Sequence, residues 1–532
     1  MEGESPRESA SPPPVSLASF LSWAAELRIT DFTTNSTVAS STSSCLGHSL
    51  TVADFPDSGG RGLAAARDLR TGELVLTVPK ASLMTRDSLM EKDPKFASAV
   101  SRHPSLSSSQ ILAIGLLVEV GKGKRSYWYP YLLQLPRQYD ILAGFGPFES
   151  KALQAEEAVW TAQKAASMAE LHWRGATRLM EELTIKPRLR TFKAWLWAEA
   201  TISSRTLHIP WDDAGCLCPV GDFFNYAAPG VDMYGLEGLQ SCQNASSWQV
   251  NSLENKDHAE PFLLDARPYE AFSGRLTDGG YEENIAAYCF YAKKNYKKGD
   301  QVLLSYGTYT NLELLEHYGF LLDKNPNDKV FIPLGPDMSA SDRWPADSCF
   351  IHHDGRPSFS MLCALRLWAT PVNQRKNLAR LVFSGSQLSP RNESTVMSCI
   401  ASKCKSMLGN LPSRVDDDIV LLQAISDAQD LTSLLEVGKQ LHPAVALELT
   451  DFLKSNCVLD EDIKGNWELR ETVKRSLDIW RLAVQWRIGY KKILVDCISF
   501  CSQIVHRLSP SNTTVNNVEA CSSCFGFSQN VT

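Results

Sequence analysis

The spacing of apolar residues predicts a strand-rich first part of the chain. A short helix is expected at about Leu17–Leu27, where apolar residues recur at helical spacing. Apolar and β-branched residues bounded by turn residues then predict short strands at Ser49–Ala53, Gly62–Ala65 and Glu73–Val78. The turn Asp57-Ser58-Gly59-Gly60 separates the first two strands, and its glycines favour a tight bend.

The pattern becomes helical from about residue 87 to residue 209 and then returns to strands. Apolar residues three or four positions apart indicate amphipathic helices in the first of these stretches. The predicted helices are Gln110–Val120, Glu149–Leu183 and Leu189–Ser203. The predicted strands that follow are Cys218–Gly221, Ala286–Tyr291 and Gln301–Ser305.

A polar stretch of about residues 231–283 interrupts these strands, and we interpret it as a variable surface loop. Beyond Trp344 the periodicity is helical again. The predicted helices there are Phe359–Trp368, Gln374–Val382, Asp416–Ala428, Ala444–Ser455 and about Glu461–Val505. This order of strands, helical insert, strands and helical domain predicts an α+β fold with an all-α C-terminal domain.

Four parts of the chain follow from this order. They are an N-terminal tail and short helix (1–44), a strand-containing domain (45–325) with its helical insert (about 87–209) and variable loop (about 231–283), a helical domain (345–508), and a disordered tail (509–532). A chain of 532 residues is long enough for about two to four domains, which agrees with this division.

Composition narrows the classes of function. The hydrophobic content of 44% and charged content of 21% are typical of globular proteins. The net charge of −7 argues against a nucleic-acid partner bound by a broad basic surface. The longest apolar run, Ile111–Val118, is far too short to span a membrane, so no membrane segment is predicted. Cys216/Cys218 and Cys521/Cys524 lack a second pair at zinc-ligand spacing, so no metal site is predicted.

Three segments carry candidate chemistry, and each also has an ordinary structural explanation. Ser58–Ala65 is a glycine-rich turn that lets backbone approach a ligand closely. Pro219–Tyr226 places Asp222 and Asn225 in an apolar segment, as an Asx-turn or a capping pair also would. In Ser305–Phe320 a strand ends in Tyr-Gly, and a strand-end tyrosine is more often a core residue than a catalytic one.

The order of these motifs resembles one family. A Gly-Leu turn, Ser204-Arg205, Asp-x-x-Asn, and then Tyr-Gly-x-x-x-Asn-x-Glu-Leu-Leu-x-x-Tyr-Gly-Phe are similar to the SET-domain methyltransferases. The branch that matches contains the plant Rubisco large-subunit methyltransferase, and the resemblance covers about residues 45–500. The basic segment Ala292–Val302 and the helix end Arg487–Leu494 are similar to that branch too.

The resemblance implies a fold, a reaction and a partner. The fold is a SET-domain β-clip core of short strands with a helical insert, followed by a helical substrate-binding domain. The reaction is methyl transfer from S-adenosylmethionine to a lysine nitrogen of a non-histone protein substrate. That protein would be docked by the C-terminal helical domain of a monomeric enzyme. A histidine N-methyltransferase and a catalytically weak or inactive protein-binding scaffold stay open as alternatives.

The resemblance also assigns roles to residues. Tyr306 matches the family's catalytic tyrosine, and Arg205 would pair with the methionine carboxylate of the cofactor through two parallel hydrogen bonds. The other expected cofactor-binding residues are Arg61, Gly62, Leu63, Asp222, Asn225, Tyr226, Tyr318, Gly319 and Phe320. The aromatic residues expected to line a dry substrate channel are Phe223, Phe224, Tyr288 and Tyr291.

Two features depart from the family pattern. The family usually has histidine after the asparagine, where this chain has Tyr226. The stretch of about residues 231–283 is also much longer than in most relatives. The acidic N-terminus, with Glu2, Glu4 and Glu8, is poor for an organelle transit peptide, so we expect a cytoplasmic or nuclear protein. The family resemblance leaves the chloroplast open.

Overall fold

The computed structural model describes residues 17–32, 44–56, 60–228, 278–335, 346–427, 443–456 and 471–509. The chain divides into two compact units. The first combines Met1–Tyr139 with Met168–Thr308, and the second combines Asp140–Ser167 with Tyr309–Thr532. The predicted terminal tails and most of the predicted 231–283 loop lie outside the described residues.

The described part of the first unit contains short strands surrounded by helices. Its strands are β1 (Leu50–Phe55), β2 (Gly60–Ala65), β3 (Leu74–Pro79), β4 (Thr206–Ile209), β5 (Asp212–Leu217), β6 (Asn225–Tyr226), β7 (Gly279–Glu282), β8 (Ala287–Tyr291) and β9 (Gln301–Leu304). Its helices are α1 (Leu17–Glu26), α2 (Arg86–Lys92), α3 (Pro94–Val100), α4 (Ser108–Lys122), α5 (Tyr129–Leu132) and α8 (Phe192–Arg205). α6 (Pro147–Ala152) belongs to the second unit, and the chain passes from the second unit to the first within α7 (Glu156–Glu182).

Three small sheets organise these strands. One has the order β1-β2-β9-β6, in which β6 runs parallel to β9 and the other neighbours are antiparallel. The second has the order β3-β8-β7, and the third is the hairpin β4-β5. Asp31 anchors the start of β1, because its carboxylate accepts the backbone N–H groups of Gly47, His48, Ser49 and Leu50. These four donors converge on one carboxylate oxygen, Oδ2, and fix the entry of the strand.

Helices of the insert and α1 complete the hydrophobic core of the first unit. Phe20 and Ala24 of α1 are fully buried, so this helix is part of the core rather than an appendage. The apolar run of α4 is buried on nearly every side, which explains why its sequence has little amphipathic character. Trp128 and Trp195 are among the largest fully buried side chains there.

The described part of the second unit is mostly helical. Its remaining helices are α9 (Asn311–His317), α10 (Phe359–Trp368), α11 (Val372–Phe383), α12 (Pro390–Gly409), α13 (Val415–Asp427), α14 (Pro443–Ser455) and α15 (Glu471–Arg507). The antiparallel pair β10 (Lys329–Phe331) and β11 (Phe350–His352) accompanies them. None of the helices in the described ranges combines the length and apolarity needed to span a bilayer.

The expected α+β class with a helical C-terminal region is confirmed, with local differences. The predicted helix Glu149–Leu183 is broken after α6, where Gln154 adopts a positive φ of 63°. The predicted strand Cys218–Gly221 is wrong, because those residues form a turn. α12 and the β10-β11 pair were not predicted from the sequence.

The unit border also differs from the expected domain border. Residues 140–167 were placed in the strand-containing domain, but they cluster with the C-terminal helices. Phe148 packs edge-on against Phe452 and Trp480, with ring centroids 5.5 and 5.4 Å away. The part of the insert that carries α6 and the start of α7 is therefore built into the helical unit.

A buried charge network joins three helices of the second unit. Asp418 of α13 accepts hydrogen bonds from Arg487 (2.8 Å) and Lys491 (2.5 Å) of α15. Arg487 also donates to Glu448 of α14 at 2.8 Å, and Asp418, Arg487 and Lys491 are almost completely buried. Ions taken out of water at such cost are tolerated only when they are paired and hydrogen-bonded, so the network ties these helices together.

Replacing Arg487 by methionine is expected to lower the free energy of unfolding by about 3–5 kcal/mol, because Asp418 loses part of its compensation while staying buried. Urea unfolding followed by fluorescence measures this change. Arg481→Met is the matched control on the same helix, since Arg481 is 43% exposed in its pair with Asp478. That control should cost no more than about 1 kcal/mol. Equal effects of the two substitutions would contradict the structural importance of the network.

Candidate active site

The pairing of β6 with β9 brings together two tyrosines from distant parts of the chain. Asn225 and Tyr226 pair with Leu303 and Leu304, and Tyr306 follows two residues after β9. The rings of Tyr226 and Tyr306 then lie 5.2 Å apart at an angle of 44°. The Tyr226 hydroxyl donates to the Gly307 carbonyl at 2.8 Å, which ties the two segments together on both sides of Tyr306.

The hydroxyl of Tyr306 is held by the backbone beside it, because it donates to the carbonyl oxygen of Phe224. Burial raises the pKa of Tyr306 well above its ordinary value, although the nearby Arg205 guanidinium acts in the opposite direction. The phenol therefore stays neutral at physiological pH. Its proton is donated to Phe224, and a phenol oxygen can in addition act as an acceptor.

A buried ion pair lies in electrostatic range of Tyr306. Arg205, the last residue of α8, donates through Nη1 to the Asp222 side chain at 3.0 Å and to the Asp222 carbonyl at 3.1 Å. Its Nε donates to the Tyr139 hydroxyl at 3.2 Å, and the Tyr131 hydroxyl donates to Asp222 Oδ2 at 3.0 Å. Burial alone would lower the pKa of Arg205, but the Asp222 carboxylate together with Tyr139 and Tyr131 outweighs it, and the pKa is raised.

A strained turn positions Asp222 for its ion pair with Arg205. Val220 has a φ of 68°, which a β-branched residue adopts only under strong constraint. The amides of Asp222 and Phe223 bond back to the Cys218 and Val220 carbonyls at 3.0 Å each, closing a 3₁₀ turn at Gly221–Phe223. This turn replaces the predicted strand, because Pro219 has no amide proton for a ladder and Val220 is left-handed.

The side chain of Asn225 in β6 reaches the glycine turn on β2, although β9 lies between the two strands. A Cβ on Gly62 would stand 2.7 Å from the side-chain amide nitrogen of Asn225, so a larger residue there would displace this side chain. The Arg61 guanidinium lies over the Phe223 ring at 4.1 Å and donates to Gln134. Leu63 is fully buried and pairs with Val302 of β9, so its side chain belongs to the core. Ser58 and Gly59 lie outside the described residues.

The four aromatic residues expected to line a channel do not share one surface. Phe224 and Tyr288 both pack against Phe290, with ring centroids 5.0 and 5.1 Å away. Phe223 packs instead against Phe20 of α1 at 5.5 Å. Tyr291 lies on the other face of β8 from Tyr288 and donates its hydroxyl to Glu282 at 2.6 Å. Phe224 is the member of this set whose backbone carries the Tyr306 hydroxyl.

Tyr318, Gly319 and Phe320 belong to the second unit and follow α9. Gly319 has a φ of 76°, and a Cβ there would stand 2.8 Å from the backbone of Asp140, so the position requires glycine. The Tyr318 ring lies 5.5 Å from that of Tyr309 and 6.0 Å from that of Phe320. Their expected role in cofactor binding stays a prediction.

Three residues beside the site were missed from the sequence. Tyr131, Gln134 and Tyr139 lie in or just after a segment interpreted as a simple connector, Trp128–Leu135. Tyr131 and Tyr139 hold the ion pair, and Gln134 holds Arg61. The one available signal was the density of tyrosines in this segment, since buried tyrosines need a hydrogen-bond partner.

The donor set fits the amino-acid end of S-adenosylmethionine. The hydrogen bonds of Arg205 use Nε and Nη1, and its side chain is 21% exposed, so Nη2 can meet a carboxylate. Asp222 Oδ1 is buried and has no hydrogen-bond partner among the residues that the structure describes. A guanidinium and a carboxylate side by side match a ligand that carries both a carboxylate and an ammonium group.

The first unit has small sheets, a parallel pair of β6 and β9, and a tyrosine after β9 whose hydroxyl is held by a backbone carbonyl. Together these features match a SET-domain site. The sequence model of the Rubisco LSMT substrate-binding family matches residues 337–494. "Protein SET DOMAIN GROUP 40" of Arabidopsis thaliana is 50% identical over 496 residues, which is 92% of this chain and 96% of that protein. The chain therefore belongs to the SET-domain protein methyltransferases, in the Rubisco LSMT-like branch, as the motifs predict.

Two further comparisons agree with this assignment. The chicken (Gallus gallus) actin-histidine N-methyltransferase is 24% identical over 463 residues, covering 80% of this chain and 67% of that protein. The crystal structure of the LSMT SET domain bound to lysine and AdoHcy superposes with a TM-score of 0.51 at 16% identity. It covers 97% of this chain and 98% of that one, so the fold is shared along nearly the whole length.

Replacing Asp222 by asparagine is expected to weaken binding of S-adenosylhomocysteine about tenfold or more, because the Arg205 guanidinium loses the charge that holds it. Isothermal titration calorimetry measures the affinity, and thermal melting checks that the variant is folded. Asp213→Asn, at an exposed position of β5, is the matched control and should leave the affinity unchanged. An unchanged affinity of a folded Asp222→Asn protein would show that the ion pair does not shape the binding site.

Proposed function

We propose that this protein transfers a methyl group from S-adenosylmethionine to the side-chain amine of a lysine in a protein substrate. The observation that carries the proposal is the Tyr306 hydroxyl, fixed on the Phe224 carbonyl beside the Tyr226 ring. The Arg205–Asp222 pair next to it supplies the charges that an amino-acid cofactor end requires. The Rubisco LSMT-type region at residues 337–494 supports a protein as the substrate, docked by the C-terminal helices.

The reaction is an in-line displacement. S-adenosylmethionine supplies a methyl group on a sulfonium. When an amine lone pair takes this methyl, the products are the methylated amine, S-adenosylhomocysteine and one released proton. Alignment is therefore the main task of the protein, and good alignment can lower such a barrier by several kcal/mol, up to about 7–11 in the best models. Neither a covalent enzyme intermediate nor a redox change is part of this chemistry.

Tyr306 acts as an orienting group rather than as a base. Its raised pKa keeps the phenol neutral, and its proton is donated to Phe224, so it is not poised to remove a proton from the incoming amine. Its oxygen lone pairs can accept a hydrogen bond from the amine or a weak C–H contact from a methyl group. The Tyr226 hydroxyl, bonded to Gly307, limits the freedom of the Tyr306 backbone.

The residues around the pair bind and position. Arg205 would hold a carboxylate through Nη2, and Tyr131 and Tyr139 keep the guanidinium and Asp222 in place. The absence of a side chain at Gly62 leaves room for the side-chain amide of Asn225 beside β2. A site whose groups are already held in position loses little free energy to reorganisation when the ligand binds.

Aromatic surroundings support lysine as the acceptor. A lysine amine is reactive only when neutral, and its ordinary pKa is about 10.4, so it needs a dry site. The faces of Tyr226 and Tyr306 can first attract the ammonium and then exclude water around the amine. In a protein of the same fold, the LSMT SET domain, the crystal structure contains lysine together with AdoHcy.

Histidine is the second candidate acceptor. Relatives named actin-histidine N-methyltransferase from several vertebrates match this chain at 23–25% identity. An imidazole is largely neutral near pH 7 and needs orientation more than it needs deprotonation. The position after Asn225 is occupied by Tyr226 rather than by the histidine expected from the family. A catalytically weak scaffold is therefore a third candidate, which the experiment must distinguish from the two enzymes.

The direct test is transfer of a radiolabelled methyl group from S-adenosylmethionine into a cell lysate, followed by mass spectrometry of the labelled residue. The expected product is methyl-lysine. Tyr306→Phe should lower the rate about 100-fold or more, because the orienting oxygen is lost while the ring remains. Tyr127→Phe, at a tyrosine that is 39% exposed, is the matched control and should keep full activity.

The outcomes are distinct. Methyl-histidine as the labelled product would replace lysine by the second candidate. A folded Tyr306→Phe protein with unchanged turnover would remove Tyr306 from the chemistry. The absence of both label and calorimetric binding of S-adenosylmethionine would favour the inactive scaffold.

The pH dependence of the initial rate also discriminates the acceptor. For a lysine with a pKa of about 10.4, the rate should rise steadily from about pH 7 to about pH 9 as the neutral amine increases. Tyr306 adds no falling limb in this range, because its pKa is raised above the ordinary value and the phenol stays protonated. A plateau above about pH 7.5 would instead indicate histidine, whose pKa is about 6.5. Circular dichroism at each pH checks that the protein stays folded.

A further inference from the structure

An apolar groove with a basic rim lies on the helical insert of the first unit. It has a volume of about 470 Å³ and is formed by the end of α4, the segment after α5, and the start of α8. Val120, Leu132, Leu133, Ala194 and Trp197 contribute to its apolar lining. Leu133 is 45% exposed, so the groove opens to solvent.

The charges around the groove have one sign. Arg137, Arg188 and Lys193 are the charged residues of its lining, and all three are exposed. None of them forms an ion pair with another residue in the described ranges. A purely basic rim is notable on a protein whose net charge is −7. The rim therefore complements an acidic partner.

The shape of the groove favours a peptide over other acidic partners. Its volume matches small-ligand sites, which are roughly 300–1,000 Å³, but such sites enclose most of the ligand surface. This groove instead leaves its floor half open, as grooves that receive an amphipathic peptide do. A flat anionic membrane would meet the rim without filling the concave floor.

We propose that this groove docks an acidic peptide segment of a protein partner, with two or three apolar side chains in the floor and carboxylates against Arg137, Arg188 and Lys193. Exposed apolar patches rimmed by polar residues commonly mark such interaction sites. Apolar anchors would supply most of the affinity, and the basic rim would set the charge preference and the rate of association.

The chain segment that lines the groove also contacts a residue of the candidate active site. Gln134, between the lining residues Leu133 and Leu135, accepts the Arg61 guanidinium at 2.9 Å. Trp197 of the lining donates its indole N–H to the Pro136 carbonyl at 2.8 Å, which fixes this segment. A partner bound in the groove would contact the same segment that holds Arg61. The further statement that this partner carries the methyl acceptor rests on the proposed function, whereas binding of the partner in the groove does not.

The test uses the full-length protein and two fluorescein-labelled 14-residue probes. One probe carries leucines at helical spacing with glutamates between them, and its twin carries lysines in place of the glutamates. Fluorescence anisotropy should show saturable binding of the acidic probe, weakened by salt, and at least about tenfold weaker binding of the basic twin.

Variants locate the binding. Leu133→Asp, at a half-exposed floor position, should abolish binding of the acidic probe. The double change Arg188→Glu and Lys193→Glu should weaken it about fivefold or more, because two attractive contacts become repulsive. Lys95→Glu is the matched control, since Lys95 is an exposed cation of α3 outside the groove and should leave the affinity unchanged.

Three results would overturn the proposal: no binding of the acidic probe, equal binding of both probes, or full affinity in the double variant. Binding to phosphatidylserine vesicles that the double variant loses, without binding of the acidic probe, would assign the rim to a membrane instead. S-adenosylhomocysteine affinity of the double variant is measured in parallel. Because the groove residues lie outside the cofactor site, that affinity should be unchanged, and a failure of the proposed methyl transfer would be seen separately from a failure of docking.

Discussion

The buried pair of Arg205 and Asp222 is the interaction on which the candidate active site depends. Burying Asp222 completely and most of Arg205 is costly, and the structure offsets this cost with hydrogen bonds from Tyr131 and to Tyr139. The pair joins the end of α8 to the strained turn before β6 and to the segment after α5. The position of Asn225 beside Gly62, and through β6 the position of Tyr306 after β9, follow from this junction.

A comparison with Asp418, a buried carboxylate of the second unit, shows how this pair differs. Both oxygens of Asp418 are hydrogen-bonded, one by Arg487 and Ser413 and the other by Lys491, so its carboxylate is satisfied within the protein. Asp222, in contrast, has one oxygen that the described residues leave without a partner. An unpaired carboxylate oxygen is not specific to this site, since Asp31 Oδ1 and Asp212 Oδ2 are also buried without a hydrogen-bond partner among the described residues. The Arg205–Asp222 pair is distinguished by its guanidinium, whose side chain is 21% exposed and can meet a ligand, whereas Arg487 and Lys491 are each 1% exposed.

Local patterns predicted much of the fold, because strand alternation and helical periodicity report directly on which face is buried. α10 (Phe359–Trp368) was predicted with the observed bounds, and Tyr306 was identified from a motif that keeps its residues close in sequence. The contacts of Tyr131 and Tyr139 were not predictable, since they join positions 91 and 66 residues apart. α12 (Pro390–Gly409) was missed although its signals were readable, because Val396, Ile400 and Cys404 recur at helical spacing, Ser389 caps the helix and proline opens it.

The structure changes the interpretation of Tyr226. In the sequence it is a departure from the histidine that the family usually has, and it counted against activity. In the structure its ring lies 5.2 Å from that of Tyr306 and its hydroxyl reaches the Gly307 carbonyl at 2.8 Å. Gly307 has a φ of 136°, a conformation that glycine adopts far more readily than other residues. A hydrogen bond to its carbonyl can therefore stabilise this bend of the backbone. Tyr226 thus contacts the catalytic candidate through its ring and holds the following residue through its hydroxyl, so it is an integrated part of the site.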